Sequence, residues 1–487
     1  MATNEFFFTI CTLDTIPLTT ERITCFVWGF EQKGHVLLQH YISKGCTPKP
    51  AAHAVGTPRT DTVYYKITGE GKVWFLQYQN YTFRDYASLL GKKTNPEVDT
   101  EALVYIFEHF TGQHGATPFS PATLCLKSIG YLRLREKGTE DATFLNAVHL
   151  ATRPGSVLLG ETGAFVNELH FDLHQAYANA LITKFYPSFN EKPHHTTEPL
   201  PLLSNLALIR VRGYIKLKPT GYPLIMGSSA KPKKNERSVI CSRFDQDYYI
   251  DEWFTSPGYE VLAANYDFID ANIVEGYYWK SKVSRLGETF FNNMYPLRSH
   301  SNPAIRRFAK LACEYPAGLF QQLCTKSEKI WLTPEGDQTK LTASKPLNSM
   351  IGAFMTDYQR KLLSDTLQLM PRDHVLGWDT DAIHLVGVKE EHLPSSLKKL
   401  MGPNMGQWHI DAAYMESFHF AAKQYYGIDF DGVFNAHLAG ISNGEEVAAK
   451  HYVGVPLEEI TVEKMMWNHQ LKSFAIYNYS AAECVAC

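Results

Sequence analysis

The segment from His374 to Val386 limits the possible folds most strongly, because two apolar runs in it flank the acidic triplet Asp379-Thr380-Asp381. An apolar strand, a tight turn and a second apolar strand are typical of a β-hairpin. The segment therefore predicts a hairpin within a sheet, with the carboxylates of Asp379 and Asp381 at its tip.

A third carboxylate is predicted at the end of a different strand. Residues 168–173 have the pattern of a short strand that ends near Asp172, and residues 174–185 follow with helical spacing and with Tyr177 on the first turn. Phosphoryl transfer by two metal ions needs carboxylates on rigid elements that hold the ions about 3.5–4 Å apart. A strand-end aspartate beside a hairpin tip could supply them, although a single aspartate in a turn more often bonds only to its own backbone.

Size and composition favour a multidomain globular protein. A chain of 487 residues is too long for one ordinary core, and its 45% hydrophobic and 13% aromatic content predicts packed structure throughout. The net charge of −3 means that any binding of nucleic acid must depend on local clusters of Lys and Arg. No apolar run approaches the roughly 20 residues of a membrane span, so we expect a cytoplasmic protein without a membrane partner.

Residues 280–310 form such a local basic cluster, with seven basic residues and the single acid Glu288. Asn302 and Pro303 are typical of a helix start, which would place Arg306 and Lys310 one turn apart on one helix face. A solvated helix face normally intersperses acids with bases, so the scarcity of acids favours phosphate binding.

Four motifs, in order, resemble those of the family B DNA polymerases, and especially of the protein-primed phage enzymes. Residues 172–177 resemble motif A (Asp-x-x-Ser-Leu-Tyr), and residues 378–385 resemble motif C (Asp-Thr-Asp-Ser). Residues 310–318 resemble motif B of the fingers helix, and residues 423–425 match the Lys-x-Tyr motif. The similarity extends over nearly the whole chain.

The resemblance implies a role for each motif residue. Catalysis would use two Mg²⁺ (or Mn²⁺) ions, a DNA primer–template and deoxyribonucleoside triphosphates, with a terminal protein as a possible primer. If the source is viral, the setting would be the host cytoplasm. The implied residues are Asp172, Asp379 and Asp381 for catalysis, with Asp172 and Asp381 binding the metals; Arg298, Arg306 and Lys310 for the triphosphate; Tyr177 as steric gate against a ribose; and Lys423 and Tyr425 for the primer strand.

The implied fold is a mixed α/β and α+β multidomain architecture: a right-hand polymerase with palm, fingers and thumb, preceded by an RNase H-like exonuclease domain. Alternating apolar and polar residues within residues 6–41 predict a β-meander at the start. The expected divisions are 1–125 exonuclease-like domain, 126–215 linker and first palm segment, 216–280 priming-associated insertion, 281–318 fingers, 319–349 short second insertion, 350–410 second palm segment, and 411–487 Lys-x-Tyr motif and thumb.

The exonuclease motifs have lost residues that such a site needs. Ile16 replaces a Glu after Asp14, Arg84 replaces an Asp, and Asn95 stands where a Tyr is expected before Asp99. Because a guanidinium cannot ligate a cation, we predict an inactive exonuclease domain and a polymerase without proofreading.

Motif B departs from the family as well. Glu314 stands for Asn, Tyr315 for Ser and Ala317 for Tyr, and Pro316 should kink or end the fingers helix. The segment from residue 319 to 349 is shorter than in relatives that encircle DNA. These changes predict low fidelity or relaxed template use, with modest processivity.

Three functions are compatible with these sequence features. The first is a DNA-directed DNA polymerase that replicates a viral or mobile-element genome. The second is a template-independent or specialised protein-primed nucleotidyltransferase, which would use the same aspartates. The third is a catalytically inactive nucleic-acid-binding protein, against which the joint presence of Asp172, Asp379 and Asp381 argues.

Overall fold

The computed structural model describes residues 142–188, 190–228, 245–320, 349–439 and 453, together with the backbone of nine strands outside these ranges. The chain divides into two compact units. The first unit comprises Met1–Leu132 and Gly287–Pro316, and the second comprises Arg133–Leu286 and Ala317–Cys487.

The described helices differ widely in length. None of them combines the length and the apolar character that crossing a membrane requires. Single turns of 3-10 helix occur at Tyr295–Ser299, Arg372–His374 and Glu390–His392. In chain order the α-helices are α1 (Ala142–Ala151), α2 (Ala176–Thr183), α3 (Pro199–Ser204), α4 (Ser256–Asn265), α5 (Glu288–Met294), α6 (Pro303–Phe320), α7 (Ser349–Leu367) and α8 (Ser395–Lys398).

The described strands assemble into sheets in both units. In chain order they are β1 (Phe7–Cys11), β2 (Ile23–Val27), β3 (Thr47–Pro50), β4 (Thr62–Gly69), β5 (Lys72–Gln79), β6 (Val157–Leu159), β7 (Gly163–Leu173), β8 (Tyr186–Pro187), β9 (His194–Thr196), β10 (Leu206–Leu217), β11 (Tyr248–Thr255), β12 (Tyr266–Phe268), β13 (Asn272–Trp279), β14 (Lys282–Val283), β15 (Thr325–Ser327), β16 (Trp331–Thr333), β17 (Gly336–Gln338), β18 (Leu341–Ala343), β19 (Val375–Asp379), β20 (Ala382–Leu385), β21 (Trp408–Ala421), β22 (Gln424–Asp429) and β23 (Phe434–Leu438).

The first unit contains a five-stranded sheet of order β1-β2-β5-β4-β3. Strands β1 and β2 pair in parallel, with Phe7 opposite Ile23. The β-meander predicted for residues 6–41 is therefore wrong, because a meander joins antiparallel neighbours. The alternation of apolar and polar residues predicts a strand but carries no information about the direction of its partner, which is where the prediction failed.

The second unit contains a seven-stranded sheet of order β23-β22-β21-β7-β20-β19-β6. Strand β7 is central, and its residues alternate between two chemically different faces. Leu169, Phe171 and Leu173 lie in the hydrophobic core, where each is at most 4% exposed. Glu168, His170 and Asp172 occupy the alternate positions and lie on the opposite face, because successive side chains of a strand point to opposite sides. Strand β7 thus supplies apolar side chains to the core from one face and polar side chains to the opposite face of the sheet.

The same core includes a second sheet, in which β10 pairs with β11, β12 and β13. Ile209, Val211 and Ile215 of β10 are at most 1% exposed and belong to one hydrophobic cluster with Phe171 of β7. Helices α4 and α7 pack against each other and contribute Leu262 and other apolar residues to this cluster. Full burial of such a side chain stabilises a fold by about 1.5–3 kcal/mol.

A buried ion pair braces α7. Arg360 pairs with Asp357 on the same helix, and both side chains are 1% exposed. Asp357 also accepts a hydrogen bond from the Thr255 hydroxyl at 2.6 Å, and Arg360 donates to the Pro154 carbonyl oxygen at 2.6 Å. These bonds partner both terminal nitrogens of Arg360 and both oxygens of Asp357, whose charges would otherwise be costly to bury, and they join α7 to the loop before the seven-stranded sheet.

Helix α6 begins as predicted. Its first residue is Pro303, and the side chain of Asn302 accepts a hydrogen bond from the Ile305 amide at 3.4 Å. Pro316 lies inside the helix and does not end it, since the helix continues to Phe320. Ala312, Ala317 and Phe320 are at most 5% exposed, and their burial favours helix on both sides of the proline.

Gly377 on β19 lies closely against β6. A Cβ atom at this position would lie 2.4 Å from the carbonyl oxygen of Leu158 on β6, so a side chain would force the two backbones apart. We expect Gly377→Ala to lower the free energy of unfolding by about 2–3 kcal/mol, the upper part of the range for overpacked sites. Chemical denaturation of the purified protein measures this change.

Gly318→Ala is the matched control. A Cβ atom there meets no atom within 4 Å, and Ala favours a helix over Gly by about 1 kcal/mol, so this variant should be as stable as the original protein or slightly more stable. Equal destabilisation by both substitutions would show that the approach of β19 to β6 is not the cause.

Candidate active site

Asp172, Asp379 and Asp381 lie at one end of adjacent strands of the seven-stranded sheet. Asp379 is the last residue of β19 and pairs with Ala382 of β20, which in turn pairs with Asp172 of β7. The Leu173 amide donates to the carbonyl oxygen of Asp381 at 3.0 Å. Directly paired antiparallel residues have Cα atoms about 4.5–5.5 Å apart, so this register brings the three carboxylates together.

The hairpin tip that carries two of these carboxylates is tightly constrained. Thr380 adopts a left-handed conformation with φ of 60°, and the Asp381 amide donates to the Asp379 carbonyl oxygen at 2.6 Å. The Thr380 amide donates to the Ser156 carbonyl oxygen at 2.7 Å, and the Gln359 side chain of α7 donates to the Thr380 carbonyl oxygen at 3.4 Å. Contacts on two sides hold Thr380 in a conformation that is unusual for a β-branched residue.

The electrostatics of this end of the sheet disfavour ionisation of Asp381. Burial, the neighbouring Asp172 and the neighbouring Asp379 together raise the pKa of Asp381 to about 7. Lys423 opposes this shift, and its Nζ lies 2.7 Å from Oδ1 of Asp379. Carboxyl groups are thus concentrated at this end of the sheet, and Lys423 contacts the carboxylate of Asp379.

The donor set fits hard divalent cations. It consists of carboxylate oxygens on rigid strand ends, which Mg²⁺ and Mn²⁺ prefer over nitrogen or sulfur ligands. A cation between Asp172 and Asp381 would replace repulsion between their carboxylates with attraction. The three aspartates could therefore hold the two ions expected from the sequence.

The other predicted residues of the second unit lie near these aspartates in the chain or in the sheet. Tyr177 lies on the first turn of α2, directly after the strand that carries Asp172. Lys423 lies in the tight turn between β21 and β22, with φ of 63°. Tyr425 is on β22, and its ring packs on His170, with the ring centroids 4.7 Å apart. Their contacts with a nucleotide or a primer stay predictions.

The predicted triphosphate ligands belong to the first unit. Arg298 lies in the 3-10 turn before α6, with its guanidinium 5.6 Å from the ring centroid of Tyr295. Arg306 is exposed on α6 and donates to the carbonyl oxygens of His300 and Ser301, both at 2.9 Å. Lys310 is exposed one turn later and lies close enough to Glu314 to oppose the rise that burial causes in the pKa of that carboxyl group.

The positions on which the predicted loss of exonuclease activity rests lie outside the described residues. Asp14, Ile16, Arg84, Asn95 and Asp99 all lie there, so their arrangement stays a prediction.

Sequence reasoning missed a buried polar cluster on the same face of the sheet. It consists of Glu168, His170, His384 and His419, which lie on β7, β20 and β21. Burial raises the pKa of Glu168, but hydrogen bonds from the three imidazoles outweigh it and hold that pKa well below its ordinary value. The alternation of Glu168, His170 and Asp172 along one strand was the available signal.

Comparisons with known proteins identify a fold. No protein-family model and no curated protein sequence matches this chain. The phi29 DNA polymerase, in a complex with primer–template DNA and incoming nucleotide substrates, superposes with a TM-score of 0.63 at 16% identity, covering 91% of this chain and 86% of that one. Its complexes with primer–template DNA and with single-stranded DNA give TM-scores of 0.61 and 0.59 at the same identity and coverage. The chain therefore has a polymerase-like α/β fold of the phage type.

Lys423 offers a test of the charge balance at the carboxylates. Replacing Lys423 by Met removes a cation that competes for Asp379, so we expect tighter binding of Mn²⁺. Removing a unit charge about 4 Å away is worth about 1 kcal/mol in bulk water and more near a protein, which corresponds to at least a severalfold lower dissociation constant. Titration of the purified protein with Mn²⁺, followed by electron paramagnetic resonance, measures the effect.

Lys361→Met is the control, because Lys361 on α7 is also partly exposed, at 36% for its side chain, and pairs with Glu260 and Asp365 instead. The Lys423→Met variant should also differ by less than about 1 kcal/mol in free energy of unfolding, since the ion pair is partly exposed, at 41% and 25% for its side chains. Unchanged or weaker Mn²⁺ binding by Lys423→Met would contradict the prediction.

Proposed function

We propose that this protein is a DNA-directed DNA polymerase that adds deoxyribonucleotides to a primer 3′-hydroxyl or to a protein hydroxyl. The observation that carries the proposal is the register of β7 and β20, which gathers Asp172, Asp379 and Asp381 at one end of a sheet in a polymerase-like fold. The similar phi29 structures contain primer–template DNA and incoming nucleotides, which supports the same partners for this chain.

The chemistry divides between bound ions and the residues that hold them. Two Mg²⁺ (or Mn²⁺) ions would lower the pKa of the attacking hydroxyl and stabilise charge on the transferring phosphoryl group. Asp172 and Asp381 would hold the ions from rigid strand ends, and Asp379 would support them while Lys423 orients its carboxylate. Arg298, Arg306 and Lys310 would bind the triphosphate, as cations suit its charge.

The biological setting forms part of the same proposal. The Lys-x-Tyr motif at residues 423–425 and the overall resemblance to the protein-primed phage enzymes support priming by a terminal protein. Replication of a viral or mobile-element genome, without proofreading, is the process that best fits this set of features.

Asp381→Asn tests the catalytic assignment. The amide keeps the size of the side chain but removes the charge that would hold a metal ion. Loss of an outer-shell residue at a metal site costs about 10–100-fold in activity, so loss of a ligand should cost more than about 100-fold. Extension of a labelled primer–template with all four deoxyribonucleotides measures this rate.

Asp365→Asn is the matched control, because Asp365 is an exposed acid on α7 whose side chain is 57% exposed. Full activity of Asp381→Asn would refute the proposed function. Loss of activity in both variants would indicate that the substitution acts through folding, which circular dichroism of each purified variant checks.

Tyr177 is proposed as the steric gate against ribonucleotides. Removing its ring by Tyr177→Ala should lower the discrimination in kcat/KM between deoxyribonucleotides and ribonucleotides by about tenfold or more, which corresponds to about 1.4 kcal/mol. Single-nucleotide extension kinetics with dCTP and CTP give the ratio. Tyr249→Ala, at an exposed tyrosine of β11, should keep the original ratio, and unchanged discrimination by Tyr177→Ala would remove the gate assignment.

A template-independent nucleotidyltransferase is the second candidate, and one observation favours it. Glu314 takes the place of the motif B asparagine, and its carboxyl group lies near both Lys310 and Arg298. A carboxylate beside two proposed phosphate ligands would compete with the incoming triphosphate and weaken selection of the correct base pair. Extension with each deoxyribonucleotide alone separates the two candidates, because a templated enzyme adds only the matching nucleotide.

A further inference from the structure

The buried cluster of Glu168, His170, His384 and His419 has no part in the proposed polymerase chemistry. The four residues are only 0%, 6%, 9% and 1% exposed, and one ligand atom from each lies within 4.8 Å of all the others. They come from β7, β20 and β21, which are adjacent strands of the seven-stranded sheet. The cluster therefore lies on a face of the same sheet that carries the aspartates.

The geometry around Glu168 is crowded, because nitrogens of three imidazoles surround one carboxylate group. Oε1 of Glu168 lies 2.5 Å from Nε2 of His170, 2.9 Å from Nε2 of His419 and 3.2 Å from Nδ1 of His384. His419 also lies 3.0 Å from Oε2. A carboxylate oxygen has about two lone-pair sites, so Oε1 cannot accept from all three imidazoles at once, and His419 would have to donate to Oε2 instead.

A metal ion resolves this crowding, because each nitrogen then directs a lone pair at the ion instead of a proton at the oxygen. Tetrahedral Zn²⁺ binds imidazole nitrogen and carboxylate oxygen at about 2.0–2.2 Å, which places neighbouring ligand atoms about 3.4 Å apart. In the structure, Oε1 of Glu168 lies 2.5–3.2 Å from the three imidazole nitrogens, slightly less than this separation. All four ligand atoms lie within 4.8 Å of one another, slightly more than this separation.

The composition of the cluster also distinguishes it from the aspartate site. Three imidazoles and one carboxylate suit Zn²⁺, whereas an all-carboxylate set suits Mg²⁺ or Mn²⁺. Four protein ligands close the coordination sphere, which is the hallmark of a structural zinc site rather than a catalytic one. The ring of Tyr425 packs on His170, His384 and His419, and so covers the cluster.

We propose that Glu168, His170, His384 and His419 bind one structural Zn²⁺ ion that fastens β21, β7 and β20 to one another. His170 pairs directly with His384 across β7 and β20, and only the pair of Phe171 and Ile383 separates it from the pair of Asp172 and Ala382. The ion would therefore fix the strand register two residues away from Asp172. This proposal does not depend on polymerase activity, since its readouts are metal content and stability.

Zinc binding by the full chain is the direct test. Protein stripped with a chelator and then dialysed against Zn²⁺ should retain one Zn²⁺ per chain by mass spectrometry of its metal content, and its midpoint of thermal unfolding should rise by several degrees. His419→Gln should lose this zinc and this rise. His409→Gln is the matched control, since His409 is also on β21 but stacks on His174 outside the cluster, and it should keep both.

A second variant tests whether the zinc ion binds at the aspartates instead of the histidines. Asp381→Asn should retain one Zn²⁺ per chain if the ion binds at the histidines, whereas loss of the zinc in this variant would overturn the proposal. Zinc retained by His419→Gln at the level of the original protein would overturn it as well.

X-ray absorption at the zinc edge tests the ligands without any substitution, and so remains decisive if His419→Gln fails to fold. The original protein should show only nitrogen and oxygen neighbours, with the multiple scattering of coordinated imidazole. Sulfur neighbours would place the ion at cysteines elsewhere in the chain, and the absence of bound zinc would leave the cluster as a hydrogen-bonded network. Either result would refute the proposal.

Discussion

The antiparallel pairing of β7 with β20 is the interaction on which the candidate site depends. It places Asp172 opposite Ala382, directly after Asp381, and so forces like charges together. The apolar faces of the same strands make this arrangement stable, since Phe171 and Ile383 are completely buried. A slip of one residue would turn every side chain to the other face, so hydrophobic burial holds the register against the repulsion of the carboxylates.

The elements that local patterns define were predictable from the sequence. The hairpin that carries Asp379 and Asp381 forms as expected, because apolar runs around a tight acidic turn favour it wherever they occur. The strand that ends at Leu173 and the helix that begins at Pro303 follow from equally local signals. The polymerase-like fold agrees with the motif resemblance, although the roles of individual residues stay predictions.

Features that depend on distant pairing were not predictable. The parallel partnership of β1 and β2 and the meeting of His170 with His384 and His419 require strand directions and registers that no local pattern encodes. Pro316 shows the same limit in a helix. Its intrinsic preference is to end a helix, yet buried neighbours before and after it keep the helix continuous to Phe320.

The position of β10 in the hydrophobic core limits how the chain can be shortened. Its residues Ile209, Val211 and Ile215 share one hydrophobic cluster with Phe171 and Ile383. The strands that pair with β10, and helix α4 beside them, lie almost wholly within residues 216–280 and contribute Ile250 and Phe254 among others. This stretch is thus not a detachable appendage. Trimming it would expose the apolar underside of the strands that carry the aspartates, because its buried side chains cover that face.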